Sequence, residues 1–212
     1  MSIELRQALA ELPLVAILRG LAPENALAVG QVLVDAGFRI IEVPLNSPRP
    51  FESIGLLAKA FGTRALIGAG TVLRTEDVAR VKDAGGRLIV MPHGDTAIIG
   101  EAKRQSLTCV PGVATPTEGF SALAAGADGL KMFPAEAMPP AVVKAWRAVL
   151  PPETLLMPVG GITAERMADY LAAGASGFGL GSALFTSRMT PAQVESNALQ
   201  FVESLRRATN VT

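Results

Sequence analysis

Residues 26–45 read Ala-Leu-Ala-Val-Gly-Gln-Val-Leu-Val-Asp-Ala-Gly-Phe-Arg-Ile-Ile-Glu-Val-Pro-Leu, and the two halves carry different hydrophobic patterns. In the first, Ala26, Val29, Val32, Leu33 and Ala36 recur at steps of three and four, the period of a helix that buries one stripe. Gly37 ends that helix, because glycine takes a positive φ without steric penalty. In the second half, Arg39–Leu45 is a nearly continuous apolar run. Such a run suits a parallel strand covered on both faces, where alternation would be wasted.

The same alternation repeats outward along the chain. Apolar runs stand at Leu14–Gly20, Arg39–Leu45, Ala65–Val72, Arg87–Pro92, Leu107–Val113, Gly129–Pro134, Leu155–Gly161 and Gly177–Ser182, with starts 20 to 26 residues apart. That interval holds one strand, one helix and two short loops. The helix-ending Ala-Gly pair returns at Ala84-Gly85, Ala125-Gly126 and Ala173-Gly174. Helix starts are marked by Thr75, Asp95, Thr115-Pro116, Thr163 and Thr190-Pro191, which are cap-forming types, two of them followed by proline. Eight such units predict an α/β fold, a single (β/α)8 (TIM-type) barrel domain over residues 1–212, with an extra helix near Ile3–Glu11. A doubly wound open sheet is the structural alternative.

Composition narrows the function classes. Half of the 212 residues are hydrophobic and 18% are charged, a balance opposite to that of disordered chains. The 19 basic and 19 acidic residues cancel with no like-charge run, so no basic stripe points to nucleic acid or a membrane surface. One cysteine, Cys109, makes neither a disulfide nor a cysteine zinc site, and one histidine, His93, weakens any two-histidine metal or triad reading. No apolar run approaches the ~18 residues of a membrane span, and the first residues lack a signal-peptide core. The expectation is a cytoplasmic protein.

In a barrel, chemistry collects at the C-terminal strand ends. Lys131 interrupts Gly129-Leu130-Lys131-Met132-Phe133-Pro134. A buried ammonium either pairs or loses its proton, and the neutral amine adds to carbonyls. Glu42 interrupts Ile40-Ile41-Glu42-Val43-Pro44-Leu45. Its carboxyl, with its pKa raised by apolar surroundings, suits a proton shuttle. A snorkelling lysine, or a structural ion pair between Glu42 and Lys131 or Arg19, is the plainer reading of the same residues. Arg19 closes the first strand with a forked donor for carboxylate or phosphate. Thr71 ends Gly68-Ala69-Gly70-Thr71-Val72, where the glycines leave room for a ligand or merely permit packing. The last two strands end in Val159-Gly160-Gly161-Ile162-Thr163 and Gly179-Leu180-Gly181-Ser182, the two places where barrels bind phosphate on bare backbone N–H groups. His93 reads as a loop residue, Cys109 as a small core residue, and Trp146 with Leu150 as packing.

Taken in order, Ala16-Ile17-Leu18-Arg19-Gly20, Glu42-Val43-Pro44-Leu45-Asn46-Ser47-Pro48, Gly68-Ala69-Gly70-Thr71-Val72, Lys131-Met132-Phe133-Pro134-Ala135 and Val159-Gly160-Gly161 resemble the pyruvate-forming class I aldolases of the 2-dehydro-3-deoxy-6-phosphogluconate and -galactonate group. The resemblance runs from Leu14 to about Phe185. It implies reversible cleavage of a phosphorylated 2-keto-3-deoxy sugar acid to pyruvate and glyceraldehyde 3-phosphate. Lys131 would form the Schiff base and Glu42 would be the acid/base. Thr71 matches the position that helps hold the keto-acid end, and Gly161, Gly181 and Ser182 match the phosphate side. Asn46 stands where the gluconate branch usually has arginine, and Arg19 looks like the galactonate branch's substitute. Val159 stands where the gluconate branch tends to have threonine, so the galactonate branch is favoured over a gluconate or 4-hydroxy-2-oxoglutarate aldolase. The resemblance further implies a cytoplasmic homotrimer with no metal and no organic cofactor. A metal-dependent aldolase would need a carboxylate/histidine ligand set, and a non-catalytic phosphosugar-binding barrel would have no use for the lysine and glutamate.

Overall fold

The computed structural model describes residues 4–209. Strands and helices alternate from the start. Helix α1 (Leu5–Glu11) leads into β1 (Leu14–Ile17), α2 (Pro23–Asp35), β2 (Ile40–Pro44), α3 (Pro50–Phe61), β3 (Leu66–Gly70), α4 (Thr75–Asp83), β4 (Leu88–Val90) and α5 (Thr96–Arg104). The second half continues with β5 (Thr108–Val110), β6 (Gly112–Val113), α6 (Pro116–Ala124), β7 (Leu130–Met132), α7 (Pro140–Arg147), β8 (Leu156–Pro158), α8 (Met167–Ala172), β9 (Phe178–Leu180) and α9 (Pro191–Thr209). Of the expected first helix, Ile3 lies outside the described residues, and the helix itself is α1.

Asp95, Thr115 and Thr190 cap as expected, Thr190 accepting the Gln193 amide at 3.3 Å, whereas Thr75 is the first residue of α4, whose cap position, Arg74, makes no side-chain hydrogen bond. Asp95 accepts the Ala97 and Ile98 amides at the head of α5, and Thr115 with Glu118 closes a reciprocal capping box on α6. Thr163 heads only a short 3-10 turn, Ala164–Arg166, which passes into α8.

Every ladder is parallel, as crossovers of this length require. The strands form a curled six-stranded sheet in the order β5-β4-β3-β2-β1-β9 and a three-stranded sheet in the order β6-β7-β8. The sequence reading treats Leu107–Val113 as one strand within one sheet. Here the run divides at Pro111, with β5 in the larger sheet and β6 in the smaller. Proline has no N–H to continue a ladder, although its carbonyl still accepts the Lys131 amide at 2.8 Å. No continuous ladder joins the two sheets among the described residues. Local contacts do: the Val159–Gly179 bridge, the Ser176 amide on the Leu156 carbonyl at 2.7 Å, and the Asp128 amide on the Cys109 carbonyl at 2.9 Å.

Strand periodicity sorts the core into two clusters. Leu14, Ala16, Ile41, Val43, Ile67, Ala69 and Ile89 pack toward the helices. Their neighbours Val15, Ile40, Leu66, Leu88, Val90 and Val110 pack together on the opposite face, closed at the strands' N-terminal ends by Leu5, Ala8 and Leu9 of α1. Two-residue steps along β2 carry Ile40 to Glu42 on that inner face, and Lys131 lies opposite the outward Leu130 and Met132. The pleat therefore brings both ionisable residues inside.

Candidate active site

Glu42 is 1% exposed and Lys131 7% exposed. Both line a small cavity of about 20 Å3 with residues of both sheets, among them Val15, Ile40, Val110, Met157 and Gly179. Above it opens a pocket of about 680 Å3, within the usual range for small-molecule sites. Lys131, Ile17, Val159 and Gly179 line both spaces, whereas Glu42 lines only the lower one. The lysine thus stands on the floor of the open pocket, and the carboxyl sits beneath it.

The electrostatics follow from this burial. Loss of water raises the Glu42 carboxyl to about 7, with the positive charges of Lys131 and Arg19 pulling the other way. Burial lowers the Lys131 ammonium from its ordinary value; Glu42 opposes that shift and Arg19 adds to it. The Glu42 Oε2 atom is buried without a hydrogen-bond partner. Its carboxyl lies so close over the Cα of Gly70 that any side chain there would collide with it. The Lys131 Nζ also stands 5.0 Å from the centre of the Phe133 ring, a favourable cation–π position while the amine is charged.

Arg19 reaches the rim of the pocket from the end of β1. It donates to the Asn46 Oδ1 at 2.7 Å and to the Thr71 Oγ1 at 3.4 Å. The Ser47 Oγ accepts the Gly20 amide at 2.9 Å, so the loop after β2 braces the loop after β1 twice. Thr71 has φ 53°, a left-handed conformation that is strained for a β-branched residue and that ends β3 at the pocket. Across the pocket lie Gly161, Gly181 and Ser182, with Val159, only 7% exposed, at the entrance to the lower cavity. Arg19, Thr71, Lys131, Val159, Gly161, Gly181 and Ser182 therefore line one pocket, and Glu42 is joined to it through Lys131, which lines both spaces.

Two residues escape the sequence reading. Asn46 enters it only as a missing arginine, yet its carbonyl orients Arg19. Glu136 follows β7 in a short 3-10 turn and lines the pocket; an exposed glutamate after proline carries no sequence signal that distinguishes it from a solvated one. His93 does not line the pocket, although Pro92 does, and it pairs loosely with Asp95 at 4.0 Å. Cys109 is fully buried, its thiol pushed up to about 12 by burial and by the Asp128 charge, as befits a packing residue. Among the described residues there is no cluster of three or more His, Cys, Asp or Glu side chains that could hold a metal, and no helix long and apolar enough to cross a membrane.

Comparison with known proteins places the chain in a family. A family model described as KDPG and KHG aldolase matches residues 5–204. The chain is 44% identical over 198 residues to 2-dehydro-3-deoxy-6-phosphogalactonate aldolase of Escherichia coli K12, covering 93% of this chain and 97% of the relative. A solved structure described as native KDPGal superposes with a TM-score of 0.93 at 42% identity, over 99% of this chain and 100% of the other. The KDPG aldolase of Legionella pneumophila, solved with pyruvate captured as a covalent carbinolamine, superposes with a TM-score of 0.80 at 26% identity, over 97% and 98% of the two chains. With a family match spanning nearly its whole length, this chain belongs to the KDPG and KHG aldolases, a family of carbon–carbon lyases.

Proposed function

We propose that the chain is a Schiff-base aldolase that reversibly cleaves 2-dehydro-3-deoxy-6-phospho-D-galactonate to pyruvate and D-glyceraldehyde 3-phosphate, in galactonate breakdown. One observation carries this reading. Lys131 and Glu42 share a buried chamber beneath the pocket, and each is drawn toward its neutral form.

Neutral Lys131 adds through its nitrogen lone pair to the C2 ketone, and the carbinolamine loses water to give an iminium ion. The C3–C4 electron pair then flows into the iminium to form an enamine, while the C4 hydroxyl becomes the aldehyde carbonyl. Glu42 takes the hydroxyl proton, through a water if it stays beneath the lysine, and returns it to C3. Hydrolysis of the resulting imine releases pyruvate and restores the amine. Because the iminium is the electron sink, the chemistry needs no Lewis acid and no organic cofactor.

In this reading Arg19 and Thr71 hold the carboxylate end, and Gly161, Gly181 and Ser182 hold the phosphate. Val159 borders the C4 hydroxyl. Valine makes no hydrogen bond to a hydroxyl pointing its way, and an unmade buried bond disfavours that epimer by ~1–3 kcal/mol. The name of the Escherichia coli relative supports the galactonate epimer. The two sheets would work as one (β/α)8 barrel spanning residues 1–212 as a single domain, since strands of both line the one inner cavity. A cytoplasmic homotrimer completes the proposal, on the family resemblance.

Trapping tests it. Pyruvate followed by borohydride should add to Lys131, located by peptide mass spectrometry, and Lys131→Arg should lose trapping and turnover together, because a guanidinium stays charged. An adduct on Lys82 or Lys144 rejects the assignment. Comparing kcat/KM for the two C4 epimers decides the branch: the galactonate substrate should be cleaved at least as well as the gluconate one.

A further inference from the structure

Arg166 stands just past the glycine end of β8, at the close of the short turn Ala164–Arg166 that leads into α8, and it does not line the pocket. Its Nη1 donates to the Gly161 carbonyl at 3.0 Å and its Nη2 to the Tyr170 hydroxyl at 3.3 Å, with the guanidinium carbon 5.6 Å from the centre of the Tyr170 ring. Tyr170 is fully buried, and its hydroxyl lies 3.1 Å from the carbonyls of both Ala135 and Met138. One buried phenol therefore seats the guanidinium from behind and ties it to the turn after β7. That turn carries Glu136, whose Cγ lies 2.7 Å from where a Cβ on Gly161 would stand, and whose carboxylate would collide with a Cβ on Gly160. The glycine end of β8 thus has a carboxylate on its pocket side and a guanidinium behind it.

Among the described residues, the amides of Gly161, Ile162, Gly181 and Ser182 meet no acceptor, and all four residues line the pocket. Unpaired backbone donors gathered at one end suit an anion, but the Glu136 charge beside them opposes one. In a trans peptide the N–H and the C=O point in opposite directions. With the Gly161 carbonyl held on Arg166 outside the pocket, the Ile162 N–H is turned to the other side, and the positive charge on the carbonyl strengthens that N–H as a donor. We infer that Arg166 is a positioning residue for the phosphate end of the substrate: it fixes the Gly161–Ile162 peptide with its N–H toward the pocket and offsets the Glu136 charge, without touching the substrate. The inference rests on the aldolase reading proposed above and adds a residue from outside the pocket to it.

Condensation of pyruvate with glyceraldehyde 3-phosphate separates the two ends of the pocket, since only the aldehyde carries phosphate. Arg166→Met keeps an unbranched side chain over the Tyr170 ring and removes the donors and the charge. In this variant KM for glyceraldehyde 3-phosphate should rise about tenfold, the worth of one hydrogen bond to a charged group. Inorganic phosphate, competing with the aldehyde, should weaken by the same factor. KM for pyruvate and the extent of borohydride trapping should stay at their parental values. Equal rises in the two KM values would mean that Arg166 serves the fold alone and would overturn the inference, as would an unmoved KM for the aldehyde. Should Arg166→Met fail to fold, Tyr170→Phe takes its place. It unseats the guanidinium but leaves its bond to Gly161, so KM for the aldehyde should rise about threefold with KM for pyruvate unmoved, and any other result overturns the inference. A parent that traps no pyruvate fails the aldolase reading and this inference together. A parent that traps pyruvate, beside a variant whose KM for the aldehyde is unmoved, fails this inference alone.

Discussion

Between its ordinary value of 4.5 and about 7, the Glu42 carboxyl keeps its proton in the folded chain while the unfolded chain has already released it. The folded state then binds more protons than the unfolded one, so stability falls as pH rises through that window. At ~1.4 kcal/mol for each tenfold change in an ionisation constant, ionised Glu42 is a burden of up to about 3 kcal/mol at pH 8. Glu42→Gln should therefore be more stable than the parent in urea at pH 8, and the gain should shrink toward zero at pH 4.5. A gain of equal size at both values would mean that the buried charge is not its origin. Turnover responds in the opposite sense. Cleavage needs the ionised carboxylate to take the C4 proton, so the parental rate should drop as pH falls through about 7, and the residual rate of Glu42→Gln should lack that limb. Stability and activity conflict at this one residue, which is how a carboxylate buried for function differs from one buried for packing.

Elements meet with unequal strength around the inner cavity. Where β8 approaches β9 there is one isolated bridge, and a side chain from the helical layer reinforces it. Arg147, near the end of α7, donates to the Gly174 carbonyl at 2.7 Å, the Thr154 carbonyl at 2.6 Å and the Ser176 Oγ at 2.8 Å. Ser176 in turn exchanges hydrogen bonds with Leu156, its Oγ accepting the Leu156 amide at 3.1 Å. One guanidinium thus ties the loops at the start of β8 and β9 to α7. Replacing it with methionine keeps most of the packing and leaves half-buried carbonyls unpaired. Arg147→Met should lower unfolding stability in urea by about 2–4 kcal/mol. These contacts lie away from the pocket, so the folded variant should trap pyruvate like the parent; a loss of trapping without a loss of stability would contradict this account.

At the scale of the whole molecule, the proposed homotrimer predicts a mass in light scattering about three times the 22.0 kDa of the chain, and a monomeric mass at micromolar concentration would reject it. The α/β alternation behind the fold is legible in the sequence because its causes are local. Helix stripes ending at Gly37, Gly85, Gly126 and Gly174, and apolar runs between them, follow from periodicity and backbone freedom, and all four glycines do take positive φ. Lys131 and Glu42 are legible for the same reason, since a charge inside a run buried on both faces contradicts its surroundings wherever the chain folds. Other features need the chain to close on itself. Pro111 divides a run that reads as one strand, because the ladder's need for an N–H appears only once partners stand on each side. That Glu42 sits beneath the pocket, reached through Lys131, depends on strand register across the sheet. The Asn46 brace on Arg19 and the seat of Glu136 on Gly160 and Gly161 each join segments distant along the chain. Residue order is enough to establish which side chains must be buried and which of them are chemically out of place. Their neighbours are settled only in the folded chain, because a side chain's protonation and reach depend on what packing brings within a few ångströms of it.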